Sequence, residues 1–586
     1  MIAPWWDELH WTMWRIADRS ALLPVVQSAR HVAREVVVPL LALGARANCE
    51  WTPQKAQLIA KLDANGLNSI LSAAQPSIAM PLAMAAWELA RVDGGAAANI
   101  LSGCMAQMPI LDFGTRPQRE RYLGSGHVRH GALCLTEPLP GAGSDALFLA
   151  GSVELTSGVL EGEPLLHIEK RGRFISHMDF ADFVVAAVQG CGDHVHSSCL
   201  VILEPGDLGE FDCGTRVHKL GHQLSSTTNP SFNLRIPASR IVGGYTMDGG
   251  VLTPNVDHRN GLSPAFHRTR AILSLITASK LLSTVESFTH SSRLVSSGSH
   301  LWQSMVELWA AGEAAASLGF AAARLSDDLD RTGIASAALA SQLAVLSPAA
   351  KLFSSKRVPD VLQSVAAFGE RWTVQNAFSL QDKLADAQIE AVQMGPEALQ
   401  RRQLSATMID REFLAQFHLW TAEMEQIADP EMHPGPHCLA AAMRLWHWTL
   451  STLQQQTDAR GARLYSDARQ GVTFLMADAL CELLAARSLT VDVLELEKCG
   501  GERIPASTIT CLFDLAAVAS LHADGVVAQC SDTLLFGYSA QLSPSATKEF
   551  HALRTRLDES LCGTLNARDR AVYFLRTLSR SYEVHD

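Results

Sequence analysis

The stretch CLTEPLPGAGSD at Cys134–Asp145 combines hydroxyl groups and glycines in a way that could serve ligand binding. Gly141 and Gly143 allow the backbone to approach a ligand closely, because glycine lacks a Cβ atom. Thr136 and Ser144 could then hydrogen-bond the polar groups of that ligand. The same composition is also typical of an ordinary surface turn. The surrounding sequence must decide between a phosphate-cradling loop, a turn and one wall of a cofactor site.

One short stretch brings cysteine and histidine together. It reads CGDHVHSSC at Cys191–Cys199, but the twelve cysteines of the chain include no CxxC pair and no spacing typical of zinc ligands. Scattered cysteines of this kind are typical of reduced thiols in a cytoplasmic protein. We therefore predict no metal site.

Length and composition limit the class of protein. The chain has 586 residues, 47% of them hydrophobic and 18% charged, which is enough for about two to four well-buried domains. The net charge of −12 argues against a dedicated nucleic-acid or anionic-membrane binder. Residues 1–20 lack a secretory signal pattern, and we expect no apolar run of a length that spans a membrane; Glu35–Ala45 is too short and contains Pro39. We expect a cytoplasmic protein.

Hydrophobic periodicity divides the chain into segments. Residues 20–125 carry apolar side chains at helical spacing, and short β-branched runs bounded by glycine, proline and serine follow up to Gly243. Helical periodicity returns near His267, and a Pro- and His-rich break at Asp429–Cys438 precedes a last helical region. This order predicts an α+β fold with an N-terminal helical domain (1–130), a small middle β-sheet domain (131–245), a C-terminal helical bundle (260–405) and an additional C-terminal helical domain (430–586).

Four motifs in this order resemble those of the acyl-CoA dehydrogenase flavoenzymes, and the resemblance covers about residues 20–405. They are FGTRPQRERYLGSGHVRHGALCLTEP from Phe113, GAGSDA from Gly141, RGRFISHMDFADFVVAAV from Arg171 and KLGHQLSSTTNPSFNLRIPASRIVGG from Lys219. Leu139 and Pro140 look like a two-residue insertion relative to the family. The resemblance implies FAD as the cofactor and makes the loop at Cys134–Asp145 one wall of the FAD site.

The resemblance also implies individual cofactor contacts. Leu135 and Thr136 would lie at a strand end, with their amides and the threonine hydroxyl on the polar edge of the flavin. Ser144 would contact the FAD pyrophosphate or the thioester arm of the substrate. Phe174 and Ser176 alternate, so one strand would place both on the same face. The phenyl ring would then lie against the flavin and the serine hydroxyl would reach its N5 edge.

The same resemblance also implies roles for two basic side chains. His177 replaces the usual asparagine and is either a solvated loop histidine or an additional titratable group near the site. Arg293 resembles the arginine that reaches the FAD pyrophosphate of a neighbouring subunit, since a guanidinium binds phosphate through two parallel hydrogen bonds. A homodimer or homotetramer is the expected assembly.

The catalytic base of the family is not found at its usual positions. Desaturation at Cα–Cβ needs a carboxylate that takes the α-proton while flavin takes the hydride. The two positions that the resemblance offers hold Met394 and Thr269. With the neighbouring Arg270, these two residues are expected to line the substrate pocket, and the apolar Met394 suits an acyl chain.

Three interpretations remain open. In the first, Glu390 is the relocated base, because it lies four residues before Met394 and hence on the same helical face; Glu397 is a second candidate. In the second, the protein binds FAD and an acyl thioester but catalyses a step that needs no α-carboxylate. In the third, it is a non-catalytic partner subunit.

The predicted substrate is an acyl thioester, whose handle is either coenzyme A or the phosphopantetheine of a carrier protein. Both handles present the same pantetheine arm. An acidic chain does not attract an acidic carrier at long range, which favours coenzyme A. Residues 430–586 carry apolar stripes at helical spacing, and we interpret them as packing surfaces.

Overall fold

The computed structural model describes residues 19–71, 77–124, 128–138, 149–160, 162–291, 300–332, 336–367, 377–427, 433–458, 460–499, 504–537 and 542–581. The chain forms two compact units. The mixed unit comprises Leu22–Ile272 and Val392–Pro396, and the helical unit is built mainly from Leu273–Ala391 and Glu397–Asp586. This division is coarser than the four predicted domains, whose boundaries stay predictions.

Helices form the first part of the mixed unit. Polar side chains start three of them: Thr52 accepts the amide hydrogen of Lys55, the carboxylate of Asp93 accepts that of Ala96, and Thr115 and Gln118 form a reciprocal capping box. Such caps satisfy amides that have no partner within the helix. The helices are α1 (Arg19–Val32), α2 (Val38–Ala42), α3 (Pro53–Ala64), α4 (Ala79–Ala90), α5 (Gly94–Phe113) and α6 (Arg116–Leu123), with a π-helical turn at Ala33–Val37.

An eight-stranded sheet and a two-stranded sheet complete the mixed unit. The strands are β1 (Gly131–Cys134), β2 (Ser152–Leu160), β3 (Glu163–Arg171), β4 (Ile175–Ser176), β5 (Phe183–Gly190), β6 (Ser198–Leu203), β7 (Leu208–Arg216), β8 (Thr227–Pro237), β9 (Tyr245–Asp248) and β10 (Val251–Pro254). The large sheet has the strand order β1-β5-β2-β3-β8-β4, with β6 beside β5 and β7 beside β8. Only the pairs β1–β5 and β2–β5 are parallel among the described strands.

The central strand β5 shows why this sheet lies inside the protein. Val184 and Ala186 belong to one hydrophobic core, and Phe183 and Val185 belong to another. Alternate residues of a strand point to opposite faces, so both faces of the sheet are covered at this position. Strand β1 pairs with β5 along its whole length. The cofactor-binding residues predicted at the end of β1 are therefore attached to a strand of this packed sheet.

The helical unit contains long apolar helices. Its described helices are most of α7 (His258–Ser291), α8 (His300–Thr332), α9 (Ala337–Ala367), α10 (Ala377–Val392), α11 (Glu397–Thr407), α12 (Arg411–Ile427), α13 (Pro434–Gln455), α14 (Gln470–Cys499), α15 (Ala506–Phe536), α16 (Pro544–Ser560) and α17 (Thr564–Ser581). With the sheet of the mixed unit, they confirm the predicted α+β class and the additional helical region.

Three described helices are long and apolar enough to cross a membrane by length and composition: His258–Thr289, Ala337–Ala367 and Ala506–Phe536. The expectation that no apolar stretch reaches a spanning length was therefore wrong. Between 61% and 94% of each apolar window is buried within the protein. Packing against neighbouring elements accounts for the apolar character of these helices, because a helix that is apolar on all sides is typical of a protein core as well as of a membrane.

Candidate cofactor and substrate site

A buried ion pair holds the segment that follows β1. Lys170 donates a hydrogen bond of 2.6 Å from Nζ to the Oε1 atom of Glu137, and both side chains are at most 1% exposed. The same carboxylate accepts the amide hydrogens of Ala150 and Gly151, each at 2.7 Å. Lys170 also donates to the backbone oxygen of Leu135 at 3.3 Å. These bonds fix the backbone on both sides of Thr136.

Thr136, which follows β1, and Phe174, which precedes β4, lie close together, and we call this place the sheet edge. The backbone oxygen of Thr136 accepts the amide hydrogen of Arg173 at 2.9 Å. The next amide, that of Phe174, donates to the Oδ1 atom of Asn229 at 3.0 Å. Leu135, Thr136 and Ser176 are half-buried, whereas the Phe174 ring is 51% exposed. The edge therefore presents hydroxyl groups beside an accessible aromatic ring.

The predicted strand geometry of Phe174 was wrong. Strand β4 contains only Ile175 and Ser176, and Phe174 precedes it with φ of +60°. This left-handed conformation is uncommon for residues other than glycine and breaks the two-residue alternation that would place Phe174 and Ser176 on one face. The guanidinium carbon of Arg173 lies 4.7 Å from the centre of the Phe174 ring, and this cation–π contact helps to orient the ring.

His177 is buried, so the solvated-loop alternative is excluded. Its side chain is 2% exposed, packs on the ring of Phe180 at 4.7 Å and faces Gly103 of α5. Burial, reinforced by His130, lowers the pKa of His177 to about 3. The imidazole is therefore neutral at neutral pH.

The turn at Met394 is held from two sides within the mixed unit. The Nε atom of Arg270 donates to the backbone oxygen of Met394 at 3.4 Å, and the side chains of Gln393 and His222 are 3.4 Å apart. Met394 has φ of +56° and Gly395 has φ of +92°. A left-handed conformation at a methionine is uncommon, and such strain is often found at functional sites.

The beginning of α7 supplies the other predicted pocket residues. Thr269 is fully buried, and its hydroxyl donates to the backbone oxygen of Ala265 at 2.7 Å within its own helix. Burial lowers the pKa of Arg270 to about 10, so its guanidinium remains charged at neutral pH. Burial, together with Arg270 and Arg268, lowers the pKa of His267 to about 4. No carboxylate occupies either base position.

Glu390 does not have the properties of a relocated base. Helix α10 ends at Val392, so Met394 lies outside that helix and the predicted shared face does not exist. Glu390 belongs to the helical unit, is 1% exposed, and forms an ion pair with Lys280. Thr277 also donates a hydrogen bond to it at 2.8 Å. Its carboxylate is thus already engaged in a buried polar cluster.

The other predicted site residues either form a hydrogen bond with a neighbouring side chain or lie outside the described part of the chain. Glu397 accepts a hydrogen bond of 3.0 Å from Arg401 one helical turn away. Ser144 and Arg293, with Gly141 and Gly143, lie outside the described residues. Their predicted roles stay predictions. Among the described residues, no group of three or more histidine, cysteine or acidic side chains could hold a metal ion.

A Lys170→Met variant is expected to destabilise the mixed unit, because it leaves the Glu137 carboxylate buried without its cation. Breaking a buried ion pair on one side costs about 3–5 kcal/mol. Urea unfolding followed by circular dichroism measures this loss. Adding Glu137→Gln should recover part of the lost stability, since the amide oxygen can still accept the Ala150 and Gly151 hydrogens.

Arg116→Met, which breaks a surface pair with Glu120, is the control and should cause no clear change in stability. Equal midpoints for Lys170→Met and wild type would contradict the anchoring role.

Comparison with known proteins identifies the fold of the chain. No protein-family model matches the chain, and no curated protein sequence matches it significantly. Among solved structures, an acyl-CoA dehydrogenase complexed with FAD from Bacillus anthracis matches with a TM-score of 0.77 and 16% identity, covering 99% of both chains. The chain has the acyl-CoA dehydrogenase fold. The additional region has a counterpart in that protein, since the match spans nearly the whole chain.

Other structures share a smaller part of the acyl-CoA dehydrogenase fold seen here. Butyryl-CoA dehydrogenase from Megasphaera elsdenii has a TM-score of 0.53 and 17% identity, and the match covers 66% of this chain and 97% of that one. Nitroalkane oxidase from Podospora anserina has a TM-score of 0.53 and 16% identity, with coverage of 67% and 96%. Proteins whose names give different activities thus share this fold, so the fold alone does not determine the chemistry of the site.

Several residues that position the site were missed by sequence reasoning. Lys170 shares the inward face of β3 with Leu166 and Ile168, so its burial was detectable from alternation. Glu137 was visible in the TEP motif, but its bonds to Ala150 and Gly151 were not. No local pattern indicates the contact between Gln393 and His222, because it joins two distant parts of the chain.

Proposed function

We propose that the protein is an FAD-dependent oxidoreductase that binds an acyl thioester and catalyses a step in which no carboxylate of this chain removes the α-proton. The observation that carries this proposal is the pair of base positions: Met394 is apolar, and the Thr269 hydroxyl is bonded within its own helix. The buried ion pair of Glu390 argues further against the relocated base.

The sheet edge fits the ring end of FAD. An accessible aromatic ring, two half-buried hydroxyls and backbone fixed by a buried ion pair suit a flat ligand with a polar rim. Leu135, Thr136, Phe174 and Ser176 would hold the ring. When bound, FAD supplies a hydride acceptor. Solved structures that share this fold include complexes with FAD and with FADH2, which supports the choice of cofactor.

The chain's own residues have positioning roles in this proposal. Arg270 and His222 hold the turn that presents Met394, and Met394 offers an apolar contact to the acyl chain. The neutral His177 imidazole keeps charge away from the buried side of the sheet edge. Coenzyme A is the proposed handle, and a homodimer or homotetramer in the cytoplasm remains the proposed assembly and location.

The test is flavin binding followed by thioester titration. The purified protein should show the visible absorption bands of oxidised flavin, and octanoyl-CoA added without oxygen should shift those bands without rapid bleaching. Phe174→Ala and Thr136→Val should weaken flavin retention, whereas Phe536→Ala, at an exposed ring in the helical unit, should not. Octanoyl-pantetheine on a carrier protein tests the second handle.

Two results would overturn the proposal. A colourless protein that takes up no added FAD would favour the non-catalytic subunit. Complete bleaching by octanoyl-CoA at the rate of an ordinary dehydrogenase would show that a base exists in the wild-type protein.

A further inference from the structure

A buried carboxyl group lies where three helices of the additional C-terminal region meet. Asp524, in the middle of α15, is only 5% exposed. Helix α15 packs against α13, and α13 packs against α16. The buried thiol of Cys438 in α13 interacts with Asp524 and with Ser560 of α16. Polar side chains of all three helices therefore form one cluster, and the proposed function uses none of them.

The charged neighbours of Asp524 leave it without an ion pair. Arg554 of α16 is the cation that acts on it among the described residues, but Arg554 pairs with Asp558, one helical turn further along α16, at 3.3 Å. Asp524 itself forms no ion pair in the described part of the chain, and Asp558 adds a second negative charge near it. Helices α8, α14 and α17 also pack against α15, and their described residues bring no charged group to Asp524. The cluster thus holds two carboxyl groups and one guanidinium.

A carboxyl group in these surroundings keeps its proton. Acidic side chains are rarely buried unless they are paired, and burial favours the neutral acid. Burial, reinforced by Asp558 and opposed by Arg554, raises the pKa of Asp524 to about 7. In an unfolded chain, the pKa of an aspartate is about 3.9. Between these two values, the folded protein therefore holds a proton on Asp524 that the unfolded chain releases.

We propose that the junction of α13, α15 and α16 is a pH-sensitive device, in which a proton on Asp524 holds the three helices together and the junction loosens as the pH rises from about 5 to about 7. The sign follows from the raised pKa. The stabilisation is complete below the pKa of the unfolded state and is lost as the pH rises to that of the folded state. Within this interval, each pH unit increases the equilibrium constant for opening by about tenfold. Opening gives the ionised carboxylate access to water, which the closed junction excludes.

Hydrogen–deuterium exchange of the full-length protein tests the proposal, with exchange measured at about pH 5 and about pH 8 and converted to protection factors. The opening constant of the amides in Pro434–Gln455, Ala506–Phe536 and Pro544–Ser560 should be about a hundredfold larger at the higher pH. Asp524→Asn keeps the shape of the side chain but cannot ionise, so the change between the two pH values should be at least about tenfold smaller. Asp328→Asn, at an exposed carboxylate of α8, is the matched control and should keep the wild-type ratio.

A second variant keeps the test decisive if Asp524→Asn does not fold. Asp558→Asn removes the neighbouring negative charge and leaves Arg554 to favour the ionised form of Asp524. The opening constant should then level off at a lower pH than in the wild type. Equal opening constants at the two pH values in the wild type, an unchanged pH dependence in Asp524→Asn, or an unmoved plateau in Asp558→Asn would overturn the proposal.

Discussion

A Met394→Glu variant is expected to bleach its flavin with octanoyl-CoA at least about a hundredfold faster than the wild type, since a positioned general base contributes about 10²–10⁴-fold. Position 394 is where the family resemblance places the catalytic carboxylate. Its backbone is already oriented by Arg270 and by the contact of Gln393 with His222. The substitution would supply the missing group at a prepared position.

The surroundings of position 394 act on the new carboxylate in opposite directions. Partial burial raises the pKa of a carboxyl group, whereas a nearby cation lowers it. Arg270, charged at neutral pH and bonded to the backbone at 394, favours the ionised form that a base requires. The left-handed φ of +56° is no less favourable for glutamate than for methionine, so the backbone should not change.

Stopped-flow absorbance without oxygen measures the bleaching rate. Met394→Gln is the matched control, because glutamine has the shape of glutamate but its amide cannot accept the proton. It should bleach no faster than the wild type. If Met394→Glu retains flavin and binds octanoyl-CoA but bleaches no faster than Met394→Gln, position 394 is not a base position in this protein.

The second large effect is expected at the buried pair of Lys280 and Glu390. Glu390→Met should lower the free energy of unfolding by about 3–5 kcal/mol, since it leaves a charged lysine buried without a partner. Lys280→Met with Glu390→Met should be close to the wild type, because an apolar pair of similar volume often replaces a buried ion pair without loss. Both side chains are only 1% exposed, so water cannot compensate for the missing partner.

Chemical unfolding of the three proteins tests this prediction. The surface pair of Arg331 and Asp328, with about half of each side chain exposed, is the control, and Arg331→Met should have little effect. A well-folded Glu390→Met protein that keeps FAD and octanoyl-CoA binding but loses catalytic turnover would contradict a structural role. That result would restore Glu390 as the relocated base.

Regular elements of this protein were predictable from local patterns. The apolar run at Phe183–Gly190 forms a strand buried on both faces, and the periodic sequence after His267 continues one long helix. In these segments, side-chain spacing and burial depend on the same repeat. Each successive residue in these segments supports the same secondary structure, so the local pattern was sufficient to predict the strand and the helix.

Breaks in the regular structure were not predictable in the same way. Helix α10 ends at Val392, before the glycine at 395, because Met394 adopts a conformation that methionine rarely takes. The burial of Glu390 depends on Lys280, which lies 110 residues earlier in the chain. A charged residue on a helix is usually exposed, and only the folded chain reveals its partner.

The bonds of Glu137 also have a consequence for the evolution of chain length at the site. The carboxylate of Glu137 accepts hydrogen bonds from the amides of Ala150 and Gly151. These bonds hold the two ends of the segment between Glu137 and Ala150 together, whatever the number of residues in that segment. The entropy of closing a flexible loop grows only slowly with the number of residues. Insertions such as the one suggested at Leu139 and Pro140 can therefore accumulate between these anchors while the strand ends on either side keep their positions.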